Sequence, residues 1–301
     1  MNLLKYWGRD IGWQLIIRLQ RKVYRTGNVT SLYRTAELLG YTGYLLLRSR
    51  KRLMISNLKM VFPDWDKSKI RETAKDAVRH MSKGFADLFY YTEHPGLLRK
   101  RIRLENPEIL DDILSTNKGF IIATGHIGVF PFVCMPVVWR DVPLGVVVRD
   151  PHDERVARLF RSQRSRLGMI SIPDKPYLSA ARRIFEILHD GGVVMFAFDM
   201  YPGHEQGIEV DFLGRKTLMF SGVVRSAASA RVPILPAYII RDADGINHTM
   251  RLDEPMSVPA SARHRDHPLT RVALQELSEW LSQIIRIYPE QWWWIHKRWR
   301  G

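Results

Sequence analysis

The sequence predicts an α/β fold, a central sheet flanked by helices, with a helical region leading into it. Three observations carry this. From about residue 104 onward, short apolar runs bounded by glycine, proline and polar residues recur, as buried strands do. Stretches of helical periodicity separate them, the alternation that puts helices on both faces of a sheet. Before residue 100 the apolar residues follow a helical repeat instead. The chain therefore divides into a helical region over 1–100 and an α/β domain over 101–301.

In the helical region Leu3, Leu4, Trp7, Ile11, Leu15, Ile16 and Leu19 can share one face, with Lys5, Arg9, Arg18, Arg21 and Lys22 mostly elsewhere. Trp7 and Trp13 add amphipathic rings, and the pattern is that of a helix lying in a membrane interface. A second apolar stretch, Ala36–Leu47, runs into Arg48, Arg50, Lys51 and Arg52, where anionic headgroups would sit. Two core helices of a soluble bundle would obey the same period. Phe62-Pro63 ends one helix, and Asp66 or Ser68 starts another that runs to about Tyr91.

In the α/β part the expected strands are Gly119–Ala123, Pro143–Val148, Met169–Ile172, Val193–Phe198 and Ile234–Ile240. The expected helices are Pro107–Ser115, Phe132–Trp139, Arg155–Arg166, Tyr177–Asp190 and Ser221–Ala230, the fourth closed by Gly191. Residues 242–268 read as polar loop, and Leu269–Ile287 as a last helix before PEQWWWIHKRWRG.

Net charge is +15, from 46 Lys+Arg against 31 Asp+Glu. That surplus calls for an anionic partner: nucleic acid, an anionic membrane, or an acidic protein or substrate. No nucleic-acid module, P-loop, zinc signature or dinucleotide fingerprint is recognisable, so no nucleic-acid partner is expected. The single cysteine, Cys134, excludes an internal disulfide and fits a reducing compartment. Charged residues interrupt the first apolar stretch, so no secretory signal is expected, and no run approaches the ~20 apolar residues of a spanning helix.

The candidate chemistry gathers at strand ends. KGFIIATGHIGVFPF breaks at Gly125 and presents His126, a general-base candidate whose ordinary pKa lies near working pH. GGVVMFAFDMYPG presents Asp199 at the same kind of position, and a carboxylate beside an imidazole fixes its tautomer and stabilises the imidazolium. A turn cap beside Pro202-Gly203 is the plainer reading of Asp199. Arg149 ends PLGVVVR on the same rim, and Arg164 lies on the basic helix that follows. A fixed guanidinium there suits a phosphate or an oxyanion, although the five arginines of that helix could equally form a solvated basic face.

Six segments together resemble the bacterial lipid A late acyltransferases (lauroyl and myristoyl transferases), within the wider lysophospholipid acyltransferase superfamily. They are NLKMVFPDW, ATGHIG, VVRDPHDERVARLFRSQRSRLG, MFAFDMYPG, VDFLGRK and PEQWWWIHKRW, in the family's order over most of the chain. The resemblance implies a mixed central sheet flanked by helices and a membrane-associating N-terminal region. It also implies acyl transfer from an acyl carrier protein thioester, or acyl-CoA, to a hydroxyl of an anionic membrane glycolipid such as a lipid A precursor. The site would lie at the cytoplasmic face of the inner membrane, with no metal or organic cofactor. His126 and Asp199 would be catalytic, and Arg149, Arg164, Gly128 and Asp153 substrate-binding. One position departs. The family's histidine is followed five residues later by Asp or Glu, and here Pro131 stands there. Either Asp199 takes over the orienting role, or another acid such as Glu209 or Asp211 enters the site, or the chain survives as a non-catalytic lipid-binding relative.

Overall fold

The computed structural model describes residues 28–151, 153–202 and 207–299. The expected first amphipathic helix, with Trp7 and Trp13, lies outside them. The described chain opens with α1 (Val29–Leu46), capped by Asn28, whose side chain accepts from the Thr30 and Ser31 amides. Next come α2 (Arg48–Val61) and α3 (Lys67–Glu93). Asp66 is the N-cap of α3, its carboxylate accepting from the Lys69 amide at 2.8 Å, which satisfies one of the amides a helix start leaves unpaired. Short α4 (Pro95–Arg101) leads into β1 (Ile102–Glu105).

Then α5 (Pro107–Ser115), β2 (Phe120–Thr124), α6 (Met135–Val138), β3 (Leu144–Val148), α7 (Glu154–Arg166), β4 (Met169–Pro173), α8 (Tyr177–His189) and β5 (Val193–Ala197) alternate as the sequence predicts. A hairpin of β6 (Gly207–Phe212) and β7 (Arg215–Phe220) follows, then α9 (Gly222–Ala230), β8 (Ile234–Arg241), β9 (His248–Leu252) and α10 (Pro268–Ile287). The seven-stranded sheet has the order β1-β9-β8-β2-β5-β3-β4. Strands β8, β2, β5, β3 and β4 are mutually parallel, whereas β9 is antiparallel to β8, so the sheet is mixed.

Alternate residues of the central strands feed two apolar clusters. Ile121, Ala123, Val194 and Phe196 pack on one face with α2, α8, α9 and α10. Phe120, Ile122, Val193 and Met195 pack on the other with α1, α5 and α6. Helix α3 serves both, with Ile70, Ala74, Ala77 and Val78 in the first and Ala86 to Tyr91 in the second. At 1.5 Å per residue its 27 residues are long enough to do so.

Two sequence expectations are corrected. The stretch 242–268 is not all loop, because β9 lies in it, and its polar His248 and Thr249 are buried. Phe132–Trp139 is not one helix, since a 3-10 turn at Phe130–Phe132 precedes the four-residue α6. β1 and the β6–β7 hairpin were not anticipated; VDFLGRK forms the turn of that hairpin, with Leu213 (φ 55°) and Gly214 (φ 79°) both left-handed, as a two-residue hairpin turn requires.

A buried polar knot joins the helices to the sheet. Tyr33 of α1 donates to Asp87 of α3, and Arg241 of β8 pairs with the same carboxylate, with Asp87 and Arg241 both almost wholly buried. Burial opposes the Arg241 charge and Asp87 holds it. His80 and His248, nearby, are kept neutral: burial pushes His80 down to about 4 and His248 well below its ordinary value.

These histidines set an acid limit. His80 has a folded pKa of about 4 against an ordinary 6.5, so protons bind the unfolded chain first. The stability they contribute is intact above pH 6.5 and is lost as pH falls toward the folded value of His80, about 4. Thermal melts at intervals across that window are expected to show a falling Tm, with a shallower fall in His80→Gln. A Tm flat across the window would contradict this.

Candidate active site

Strands β2 and β5 pair in register, Thr124 opposite Ala197. His126 and Asp199 each lie two residues beyond that pair, on the rim where the carboxyl ends of the parallel strands open. A Cβ at Gly125 would come within 2.7 Å of the Leu281 side chain on α10 and 3.3 Å of an Asp199 carboxylate oxygen, so Leu281 would have to shift to admit one. His126 Nδ1 lies 2.6 Å from Asp199 Oδ1, and the His126 amide donates to Oδ2 at 3.0 Å. Trp292 Nε1 also donates to Oδ2, at 2.7 Å.

Asp199 is wholly buried, which by itself disfavours its charge. The facing His126 and these three hydrogen bonds outweigh burial and hold the carboxyl well below the usual range. An ionised carboxylate only accepts, so the proton between the two sits on Nδ1, and Nε2 is left with its lone pair. Among the described residues no hydrogen bond engages Nε2. With 16% of the His126 side chain exposed, the ring is reachable. The pair can therefore accept a proton from a bound hydroxyl and stabilise the imidazolium that results.

The ring sits among Phe130 (centroids 4.5 Å), Trp293 (5.4 Å) and His296 (5.9 Å). Burial, with His126 alongside, pushes His296 down to about 4, so it is neutral near pH 7. Cys134 is no nucleophile here, since burial pushes its thiol up to about 12.

A model of the bacterial lipid A biosynthesis acyltransferases matches residues 28–301. The chain belongs to this family. Among curated proteins no relative matches it. The family implies acyl transfer onto a lipid acceptor.

In this chain Pro131, at the motif position of the acid, is the middle residue of the 3-10 turn Phe130–Phe132, and the carboxylate on His126 comes from Asp199 instead. Glu209 and Asp211 lie on β6, where Glu209 faces Lys216 at 3.6 Å and the Asp211 amide donates to Gln275. Neither hydrogen-bonds His126 among the described residues. Gly128 has φ +57°, and a Cβ there would stand 1.9 Å from the Ile239 carbonyl oxygen of β8, so the backbone geometry demands glycine.

The other sequence candidates are not joined to the histidine by any hydrogen bond among the described residues. Arg149, just past β3, gives two N–H groups to Asp174 Oδ2 at 2.8 and 2.6 Å and is 66% exposed. Arg164 is mostly buried, which lowers its pKa, and donates to Ser171 Oγ (2.8 Å) and Asp150 Oδ1 (3.1 Å). Asp153 caps α7 through the Arg155 amide and pairs with the Arg155 side chain at 3.0 Å. Sequence reasoning missed Trp292 and His296 as site residues. The run of tryptophans at 292–294 was their only local sign, and it does not say what they face.

Proposed function

We propose that the chain transfers a fatty acyl group from an acyl carrier protein thioester, or from acyl-CoA, to a hydroxyl of a lipid A precursor or related glycolipid. Nε2 of His126 takes the hydroxyl proton as the oxygen attacks the thioester carbonyl. The tetrahedral oxyanion collapses, breaking the C–S bond, and the imidazolium returns the proton to the leaving thiolate. The observation that carries this reading is the 2.6 Å contact of His126 Nδ1 with a buried, ionised Asp199. Arg149, exposed at the end of its strand, is better placed than Arg164 to meet an anionic group of either substrate.

We also infer a seat on the cytoplasmic face of the inner membrane. On α1 and just past it, Leu38, Leu39, Tyr41, Leu45, Leu46 and Leu47 are exposed, and Arg48, Arg50 and Arg52 follow them on the surface. Apolar residues beside basic ones suit an anionic bilayer. Among the described residues no helix is long and apolar enough to cross one. Arg50 also donates to the Ile295 carbonyl at 3.3 Å, next to His296 and so to His126. An acceptor lipid drawn from the bilayer would meet the site at its edge.

The test is acyl transfer by purified protein with labelled carrier-protein and CoA thioesters over a panel of lipid acceptors. Transfer that His126→Ala abolishes is the expected result. Signal no higher than that of His126→Ala across the whole panel would favour the non-catalytic relative that Pro131 suggests. Flotation with anionic vesicles, weakened in Leu46→Glu/Leu47→Glu, tests the seat; equal flotation of both proteins would remove it.

A further inference from the structure

We propose that Trp292 is a positioning residue for the reaction: its indole N–H fixes the Asp199 carboxylate, which in turn holds His126 with Nε2 free to take the proton. The proposal rests on the function inferred above. Residues 126–128 and 291–293 form a short antiparallel ladder. The Gly128 amide donates to the Gln291 carbonyl (2.9 Å), the Trp293 amide to the His126 carbonyl (3.1 Å), and Ile127 bridges Trp292. Side chains alternate along extended backbone. Trp293 accordingly lies against His126 and Phe130, while Trp292 turns the other way, to Asp199, and packs on Phe212, Trp294 and Trp299.

The ladder is itself held. Gln291 accepts from the Arg241 amide at 2.8 Å and donates to the Arg241 carbonyl at 2.9 Å. The indole thus reaches Asp199 from a fixed backbone. Indole nitrogen can only donate, so it suits an ionised carboxylate, which only accepts. Oδ2 takes two N–H groups, and without Trp292 it keeps only the His126 amide. The carboxylate then has one fewer restraint on its rotation, and more of its charge faces the imidazole. Among the described residues His296 and Arg298, both from the C-terminal segment, also interact electrostatically with Asp199.

The experiment compares wild type with Trp292→Phe and with 3-benzothienylalanine at position 292, which keeps the bicyclic shape and replaces N–H by sulfur. Trp299→Phe is the packing control, because Trp299 touches the same ring without bonding Asp199. Losing a hydrogen bond to a charged group is expected to lower kcat by roughly 10–100-fold, with KM within about twofold. The downfield proton resonance of the Nδ1–H between His126 and Asp199 should shift in both Trp292 variants and stay in place in Trp299→Phe. That resonance is read without any substrate, so it decides the positioning role even if the acyltransferase reading fails. An unshifted resonance with the benzothienyl side chain, or the same shift in Trp299→Phe, overturns the proposal. If Trp292→Phe does not fold, the benzothienyl protein alone decides between these outcomes.

Discussion

Asp199→Asn is expected to cut kcat on the order of 10⁴-fold while leaving the protein folded, the scale seen when the carboxylate of a histidine pair becomes an amide. Asp199 accepts on both oxygens, from His126 Nδ1 on one and from two N–H donors on the other. An amide cannot satisfy all three. If its oxygen keeps the Trp292 and His126 amide contacts, its NH₂ faces Nδ1, and the ring must turn to the tautomer with the proton on Nε2. That tautomer cannot accept a proton from a hydroxyl. If the amide flips, two N–H donors point at its NH₂ deep in the protein, at the cost of unsatisfied buried groups. The first arrangement loses the base, and the second keeps it only with those buried groups unsatisfied. The assay is single-substrate kcat beside a melting curve. A loss of less than tenfold in a folded protein would mean that Asp199 does not set the tautomer.

The largest expected effect on stability is at Asp87. Asp87→Ala is expected to destabilise the protein by about 3–5 kcal/mol in urea unfolding, because it leaves the buried Arg241 guanidinium without its carboxylate and with neutral acceptors, the Tyr33 hydroxyl and the Gly245 carbonyl. The carboxylate also receives the Tyr33 hydroxyl, and Tyr33 ties α1 into the sheet. The double variant Asp87→Leu/Arg241→Met removes both charges together and is expected to recover most of the loss. If the double variant is as unstable as the single one, the packing of the knot and not its charge balance holds α1 in place.

The sheet was legible because its central strands are buried on both faces. Phe120–Thr124 and Val193–Ala197 are buried along nearly their whole length, so they read as continuous apolar runs. Asp199 and His126 could be paired by sequence because both sit just beyond such runs, and parallel strands deliver their carboxyl ends to one rim. β9 was hidden for the opposite reason. His248 and Thr249 are buried against other elements, Thr249 accepting from Arg103 of β1 and the neutral His248 ring lying near Asp87 of α3, so the segment looks like loop until the polar knot is visible. Arg149 and Arg164 looked like site residues because they are basic and near a strand end. Their acids, Asp174 and Asp150, stood in the same stretch of sequence, but nothing in it showed that the side chains face one another. Trp292 was illegible on principle: it reaches Asp199 across 93 residues of chain, a separation no local pattern records.

That same separation orders events during synthesis. By the time residue 199 has left the ribosome, β2, β3, β4 and β5 have all been made, and His126 and Asp199 can already meet. The partner strand for residues 126–128 and the second donor for Oδ2 come only with residues 291–293. Until then the growing protein carries its base on an open backbone edge beside a half-satisfied carboxylate. A nascent chain of this design would have its histidine pair fully held only once residues 291–293 arrive.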